Sequence, residues 1–183
     1  MLIRIHSHEG AATLHPRRYG ADRAAMIRIT TMPEFVPLVF RDAYVDVLEL
    51  RFADVTAEGW HRIVSEQEHQ DLADQQIKRM LDNGHAMWLM TDDHARQIVE
   101  FADRVRDQVE LLVVHCDAGV SRSSAVALAL CEKYGFVDEA RAIQDSPRYR
   151  PNLYVRDLIR KQYMPSDEER ERLYAKLFSE ENV

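Results

Sequence analysis

The chain has 183 residues, of which 46% are hydrophobic and 30% are charged, and its formal net charge is −7 at neutral pH. This composition is typical of one globular domain with a substantial core. The acidic balance argues against non-specific nucleic-acid binding, for which a basic face is expected. No apolar run resembles a signal peptide or reaches the length of a membrane span, so we expect a cytoplasmic protein with no membrane or nucleic-acid partner.

Segments with strand-like and helix-like patterns alternate along the chain. The strand-like segments are residues 1–5, 25–30, 45–52 and 111–115. The helix-like segments are residues 91–108 and 123–134, and a turn or short helix begins at His15-Pro16. Alternation of this kind is typical of α/β proteins. It predicts a central, mostly parallel, twisted sheet of about four to five strands that is flanked by helices.

The segment from residue 111 to residue 124 carries the most information about function. An apolar run ends at His115-Cys116, five small or short residues follow, and Arg122 then precedes an alanine-rich helix pattern. The backbone N–H groups of such a loop and of the helix N-terminus can converge on one anion. The sequence therefore predicts an anion-binding loop with a thiol at its base.

Two side chains of this segment indicate what the loop could do with an anion. The Arg122 guanidinium can hold two phosphoryl oxygens at once. The positive surroundings would stabilise the thiolate of Cys116, which is the nucleophilic form of a cysteine. A thiolate beneath a phosphoryl group can attack in line and form a phosphocysteine. A buried structural cysteine beside a surface arginine is the alternative interpretation.

The motif His115-Cys116-x5-Arg122-Ser123 resembles the signature loop of the cysteine-based protein tyrosine phosphatases. Its flanks look most like the compact dual-specificity members, particularly the small ones of prokaryotes and phages. The resemblance implies a tyrosine phosphatase-like fold. It also implies that Cys116 is the nucleophile, and that Arg122 binds phosphate and stabilises the transition state. Ser123 would assist departure of the thiolate, and His115 would orient and tune the cysteine.

The resemblance assigns a role to the residues inside the loop as well. Their backbone N–H groups would bind phosphate, so their side chains are expected to matter less; these residues are Asp117, Ala118, Gly119, Val120 and Ser121. The carboxylate of Asp117 would oppose a dense anion. Phosphoinositide phosphatases with this chemistry tend to carry lysines in the loop, so a polyphosphoinositide substrate is disfavoured.

Such enzymes need a general acid, which is normally an aspartate on a mobile loop. Asp54 follows the strand-like segment 45–52, a context that resembles the strand-then-acid passage of the dual-specificity family. Asp92 and Asp93 are the alternative, but they follow Thr91 at the start of a helix pattern, where acids usually interact with the helix dipole. We therefore expect Asp54 to be the acid.

We expect a single catalytic domain over residues 1–183. The separation of Asp54 from Cys116 is longer than in compact relatives, which indicates an insertion at residues 59–90. An insertion of this kind is more often a surface decoration than a lid over the site. A capping-box pattern begins the C-terminal helix that is expected over residues 166–180.

A second, partial match follows the predicted catalytic helix. Residues 148–152 resemble the Arg-rich turn and the Pro-Asn pair of the family, which open the next helix and brace the signature loop. The family's usual Gly-Phe is replaced by Leu153-Tyr154. Asn152 is therefore expected to support the site, although a Pro-Asn pair is also an ordinary helix start.

Nothing in the sequence predicts a metal or a cofactor. The eight histidines show no metal-ligand spacing. The two cysteines do not make a disulfide framework, and Cys131 falls in the apolar helix, where a buried and inert thiol is expected. The thiol mechanism that the resemblance implies requires neither group.

The resemblance implies a protein phosphatase that hydrolyses phosphotyrosine, and in the dual-specificity case phosphoserine or phosphothreonine, through a phosphocysteine intermediate. The expected partner is a phosphorylated protein, and inorganic phosphate or sulfate could occupy the loop. Other functions use the same loop or the same thiolate. They are a phosphoprotein-binding pseudophosphatase, an RNA 5′-triphosphatase, a rhodanese-like sulfurtransferase and an arsenate reductase.

Overall fold

The computed structural model describes residues 1–55, 78–80 and 82–165. The strands are β1 (Leu2–Ser7), β2 (Ala24–Thr30), β3 (Tyr44–Arg51) and β4 (Leu111–Cys116). The α-helices are α1 (His8–Ala12), α2 (Asp92–Val105), α3 (Arg122–Tyr134), α4 (Val137–Asp145) and α5 (Leu153–Lys161). Two 3-10 helices span Pro16–Tyr19 and Arg41–Ala43. Residues 59–77 and 81 of the expected insertion, and the helix expected at residues 166–180, lie outside the described residues.

The four strands form one sheet in the order β1-β4-β2-β3, and every pairing is parallel. The predicted α/β architecture with a parallel sheet is therefore confirmed. Strand β4 lies between β1 and β2, so that Ser7 pairs with Cys116 and Arg28 pairs with His115. Because all strands run in the same direction, the segments that follow β1, β2, β3 and β4 meet at one edge of the sheet.

Side chains that alternate along β4 pack into two separate clusters on opposite faces of the sheet. Leu112, Val114 and Cys116 belong to the larger cluster, which includes residues of helices α2 to α5. Leu111 and Val113 belong to the smaller cluster, together with Ala11 of α1 and Tyr44 of β3. All six residues of β4 are buried. Burial on both faces explains why this strand is a continuous apolar run in the sequence.

Helix α3 follows β4 and is the most deeply buried helix of the described residues. Ten of its thirteen residues are buried, including the polar residues Arg122, Ser123 and Ser124 of its first turn. The helix ends at Gly135, whose φ of 72° is the left-handed conformation that favours glycine at this position. The buried polar residues of α3 therefore lie at its N-terminal end, next to the loop that follows β4.

Two helices were not expected from the sequence. Helix α1 has five residues, too few for a helical period to show, and it begins where the Ser7 side chain accepts a hydrogen bond from the N–H of Gly10. Helix α4 is short, with nine residues, and it buries only Ile143. Within the described ranges, no helix is both long enough and apolar enough to cross a membrane.

Candidate active site

The predicted anion-binding loop connects the carboxyl end of β4 to the N-terminus of α3. The backbone N–H of His8, at the start of α1, donates to the carbonyl of Asp117 at 3.3 Å. On the other side, the N–H of Arg150 donates to the carbonyl of Val120 at 3.0 Å. The loop is thus held between the end of β1 and the segment before α5. The resemblance of the Pro-Asn pair to the family's implied the second of these contacts.

Cys116 is the last residue of β4 and is 2% exposed. Its Sγ lies 3.2 Å from Oγ of Ser123, which is fully buried in the first turn of α3. The sulfur therefore has a polar partner although the residue itself lies at the edge of the apolar core. A hydroxyl at this distance can donate to a thiolate or to a sulfur that is acquiring negative charge.

The guanidinium of Arg122 is held by two acceptors. Its Nη1 donates to the carbonyl of Phe52 at 2.8 Å, and its Nη2 donates to Oδ2 of Asp117 at 2.6 Å. The residue is 4% exposed, and its buried Nε has no hydrogen-bond partner within the described residues. A buried donor without an acceptor is costly, so this nitrogen is suited to a ligand oxygen.

The Asp117 side chain is part of a network at the end of β2. Its carboxylate accepts hydrogen bonds from Oγ1 of Thr30 at 2.5 Å and from Oγ1 of Thr31 at 3.2 Å, in addition to the bond from Arg122. Burial opposes ionisation of Asp117, but the bonds from Thr30 and Arg122 outweigh it and lower the pKa of the carboxyl group. The Asp117 side chain thus ties the loop to the end of β2 and to Arg122, whereas the sequence analysis expected only its backbone N–H to contribute.

Gly119 allows the loop to pack directly against the end of β1. Its φ is 72°, and a Cβ at this position would lie 2.6 Å from the carbonyl carbon of His6 and 2.6 Å from the nitrogen of Ser7. Only glycine fits such an approach. Within the described part of the chain, the N–H groups of residues 118 to 121 donate to no acceptor. These groups are available to an anion, as the sequence predicts.

His115 lies beneath the loop and contacts a buried arginine. Nε of Arg28 donates to Nε2 of His115 at 3.1 Å. Burial, and then the charge of Arg28, lower the pKa of His115 to about 3. The imidazole is therefore neutral, and acceptance at Nε2 places its proton on Nδ1. Arg28 also forms an ion pair with Glu49 at 2.6 Å and donates to the carbonyl of Val36.

Arg28 is a residue of the site that the sequence reasoning missed. It is the only charged residue of β2, which is buried along its whole length. The sequence did carry a signal, which is a single arginine within an apolar strand. A charged side chain is rarely buried unless it has hydrogen-bond or ion-pair partners.

Asp54 lies against the loop. Its Oδ1 accepts hydrogen bonds from Oγ of Ser121 at 2.7 Å and from Nδ2 of Asn152 at 3.0 Å. Asn152 is also the N-cap of α5, where its Oδ1 accepts from the N–H of Val155. The structure therefore brings together three of the residues that the sequence singled out: Asp54, Ser121 and Asn152.

The alternative acids occupy the N-terminus of α2. Asp93 contacts Arg96 and accepts a hydrogen bond from Gln97 at 2.6 Å, which are both residues of the same helix. Thr91 caps this helix. Asp92 and Asp93 thus have the surroundings of ordinary helix-start acids.

The chain was compared with known proteins. No family model matches it, and no curated protein matches its sequence. Solved structures do match, among them the crystal structure of a human tyrosine phosphatase-like serine/threonine/tyrosine-interacting protein. This match has a TM-score of 0.53 and 17% sequence identity, and it covers 94% of this chain and 93% of that one. The fold is therefore tyrosine phosphatase-like. At this identity the likeness establishes the fold, and the chemistry must be argued from the site.

Four kinds of group meet around the loop. They are a thiol beside a hydroxyl, a guanidinium with an open donor, unpartnered backbone N–H groups, and a carboxyl group at the rim. The second cysteine lacks these surroundings, because Cys131 is fully buried and burial raises its pKa to about 12. Of the two thiols, Cys116 is the one that lies at the loop beside a polar partner.

Proposed function

We propose that this chain is a cysteine-dependent phosphatase of the dual-specificity type. Its substrates are phosphorylated proteins, from which it removes phosphate bound to tyrosine and, in the dual-specificity case, phosphate bound to serine or threonine. The observation that carries the proposal is the convergence on one loop of the Cys116 sulfur beside Ser123, the open Nε of Arg122, and Asp54. The tyrosine phosphatase-like fold supports it.

The reaction takes two steps. The Cys116 thiolate attacks phosphorus, and the bond from phosphorus to the leaving oxygen breaks as Asp54 gives that oxygen a proton. Arg122 and the loop N–H groups hold the phosphoryl oxygens throughout. Asp54 then takes a proton from water, whose oxygen bonds to phosphorus while the sulfur leaves as a thiolate. Ser123, at 3.2 Å from Sγ, stabilises the departing sulfur and inorganic phosphate is released.

Hydrolysis of p-nitrophenyl phosphate and of a phosphotyrosine peptide tests this proposal. Cys116→Ser should lower kcat by a factor on the order of 10³ or more, because it replaces the nucleophile. Cys131→Ser, a substitution of the same kind at the buried second cysteine, should retain activity. Turnover by Cys116→Ser at the wild-type rate would contradict the thiol mechanism.

One observation favours a second function. In this structure Nη2 of Arg122 is paired with Asp117, so the guanidinium already has an anionic partner. A phosphoprotein-binding pseudophosphatase would tolerate this arrangement, because it has no transition state to stabilise. Such a protein would bind a phosphopeptide stoichiometrically and release no phosphate. Its Cys116→Ser variant would bind the phosphopeptide with the same affinity.

A further inference from the structure

Two side chains from different elements donate to the same oxygen of Asp54. Ser121 Oγ and Asn152 Nδ2 both contact Oδ1, at 2.7 and 3.0 Å. Within residues 1–55, 78–80 and 82–165, no side-chain or backbone donor contacts Oδ2. A protonated carboxyl group accepts through one oxygen and carries its proton on the other. The arrangement therefore leaves Oδ2 as the oxygen that can hold and deliver a proton.

The Ser121 side chain bonds to Asp54 in place of the usual helix-capping hydrogen bond. It is the N-cap residue of α3, where a serine oxygen normally accepts a hydrogen bond from the first turn of the helix. Ser121 makes no such side-chain bond, and its hydroxyl instead donates to Asp54. The first turn of α3 is thereby left open toward the loop, and the hydroxyl is committed to the carboxyl group.

Asn152 is fixed from the opposite side. Its Oδ1 accepts from the N–H of Val155, so its amide is oriented with Nδ2 toward Asp54. Its own backbone N–H donates to the carbonyl of Ser121 at 3.4 Å. Asn152 is 8% exposed whereas Asp54 is exposed, so the amide reaches the carboxyl group from its buried side. The two donors are thus tied to each other as well as to Asp54.

We infer that Ser121 and Asn152 are positioning residues that orient Asp54 through Oδ1, so that Oδ2 faces the leaving-group oxygen. This inference rests on the proposed function. When the P–O bond breaks, the proton moves from Oδ2 to the leaving oxygen, and the carboxylate that forms retains both donors on Oδ1. When water attacks, Oδ2 takes the proton back.

A series of aryl phosphates tests the inference, because the need for a general acid grows as the leaving phenol becomes less acidic. Asp54→Asn should lower kcat/KM, which reports the step that breaks the P–O bond, by about 100-fold or more for phenyl phosphate and much less for p-nitrophenyl phosphate. Ser121→Ala and Asn152→Ser should share this pattern in weaker form. We expect a loss of about 10-fold with phenyl phosphate and about 2-fold with p-nitrophenyl phosphate. Serine at position 152 keeps a helix-capping hydroxyl but lacks the amide donor.

Ser124→Ala is the matched control. The Ser124 hydroxyl lies in the same turn and donates to the carbonyls of Val120 and Ser121, but not to Asp54. Any effect of this variant comes from the shape of the loop, so it should lower kcat/KM for every substrate in the series by one common factor. Thermal unfolding of each variant shows how much of its loss is structural.

The outcomes separate this inference from the proposed function. If the wild-type protein hydrolyses the series and Asp54→Asn shows the leaving-group dependence, the function stands. If Ser121→Ala and Asn152→Ser then lower all rates by a common factor, as Ser124→Ala does, the positioning role is overturned. If the wild-type protein hydrolyses none of the series, the proposed function itself fails.

Discussion

Nη2 of Arg122 lies 2.6 Å from Oδ2 of Asp117, five residues earlier in the same loop. The guanidinium that would receive a phosphoryl group is therefore oriented by a carboxylate beside it, which Thr30 and Thr31 hold in turn. A carboxylate next to an anion site has two opposing effects. It keeps Arg122 in place, and it weakens the attraction for a bound dianion.

Two substitutions of Asp117 separate these effects. Asp117→Asn keeps an oxygen that accepts from Arg122 and removes the charge, so inorganic phosphate should bind more tightly, on the order of 5-fold or about 1 kcal/mol. Asp117→Ala removes the anchor as well, and should lower kcat/KM by about 10-fold. Competitive inhibition by phosphate measures the first effect, and the kcat/KM of p-nitrophenyl phosphate hydrolysis measures the second. Equal or weaker phosphate affinity in Asp117→Asn would show that the carboxylate does not act on the bound anion.

Gly119 and Gly135 form a natural pair for testing the packing of the loop. Both have a φ of 72°, but a Cβ would clash with the His6–Ser7 backbone at Gly119 and would contact nothing within 4 Å at Gly135. Gly135→Ala should cost about 1–2 kcal/mol of unfolding free energy, from the left-handed backbone alone. Gly119→Ala should cost about 1–3 kcal/mol more and reduce phosphate binding, because the loop must move. Chemical denaturation measures the difference, and equal costs would contradict the close approach.

His115 gives the protein a specific dependence of stability on pH. Its pKa is lowered to about 3 in the folded state, from an unfolded value of 6.5, mainly by burial and next by Arg28. As the pH falls below 6.5, His115 becomes protonated in the unfolded chain but stays neutral in the folded protein. The contribution of His115 to the unfolding free energy is therefore complete above pH 6.5. It is lost as the pH falls toward 3, by about 1.4 kcal/mol per pH unit.

His115→Gln removes the titration and keeps an oxygen acceptor for Arg28. Below pH 6.5 its unfolding free energy should fall less steeply than that of the wild-type protein. Urea denaturation from pH 7.5 to pH 4 compares the two slopes, and above pH 7 the two curves should run parallel. Parallel curves over the whole range would mean that the imidazole has the same pKa in the folded and unfolded states, which would contradict this account.

The strand, loop and helix that carry the candidate site could be predicted from the sequence, because each has a local signal. Strand β4 is a continuous apolar run, the loop is made of small residues, and Gly135 closes α3. The strand pattern before Asp54 placed that residue in a loop after β3, where the structure has it. The parallel α/β architecture followed from the alternation of these elements.

The contacts across the sheet could not be predicted. Arg28 and His115 are 87 positions apart, and they meet only because β2 pairs with β4, an order that the sequence does not state. The bond from Thr30 to Asp117 depends on the same pairing. The direction of a side chain could not be predicted either. The hydroxyl of Ser121 points to Asp54 rather than to its own helix, and the residue type alone does not show this.

The most direct test of the thiol mechanism is the isolation of its covalent intermediate. The Ser123 hydroxyl, 3.2 Å from Sγ, should assist the second step, so Ser123→Ala should hydrolyse the intermediate slowly and accumulate it. Rapid acid quench with a labelled aryl phosphate, followed by peptide mapping, should find up to one phosphate per chain on Cys116 and none on Cys131. Turnover with no label on Cys116, or with label on another residue, would contradict the account.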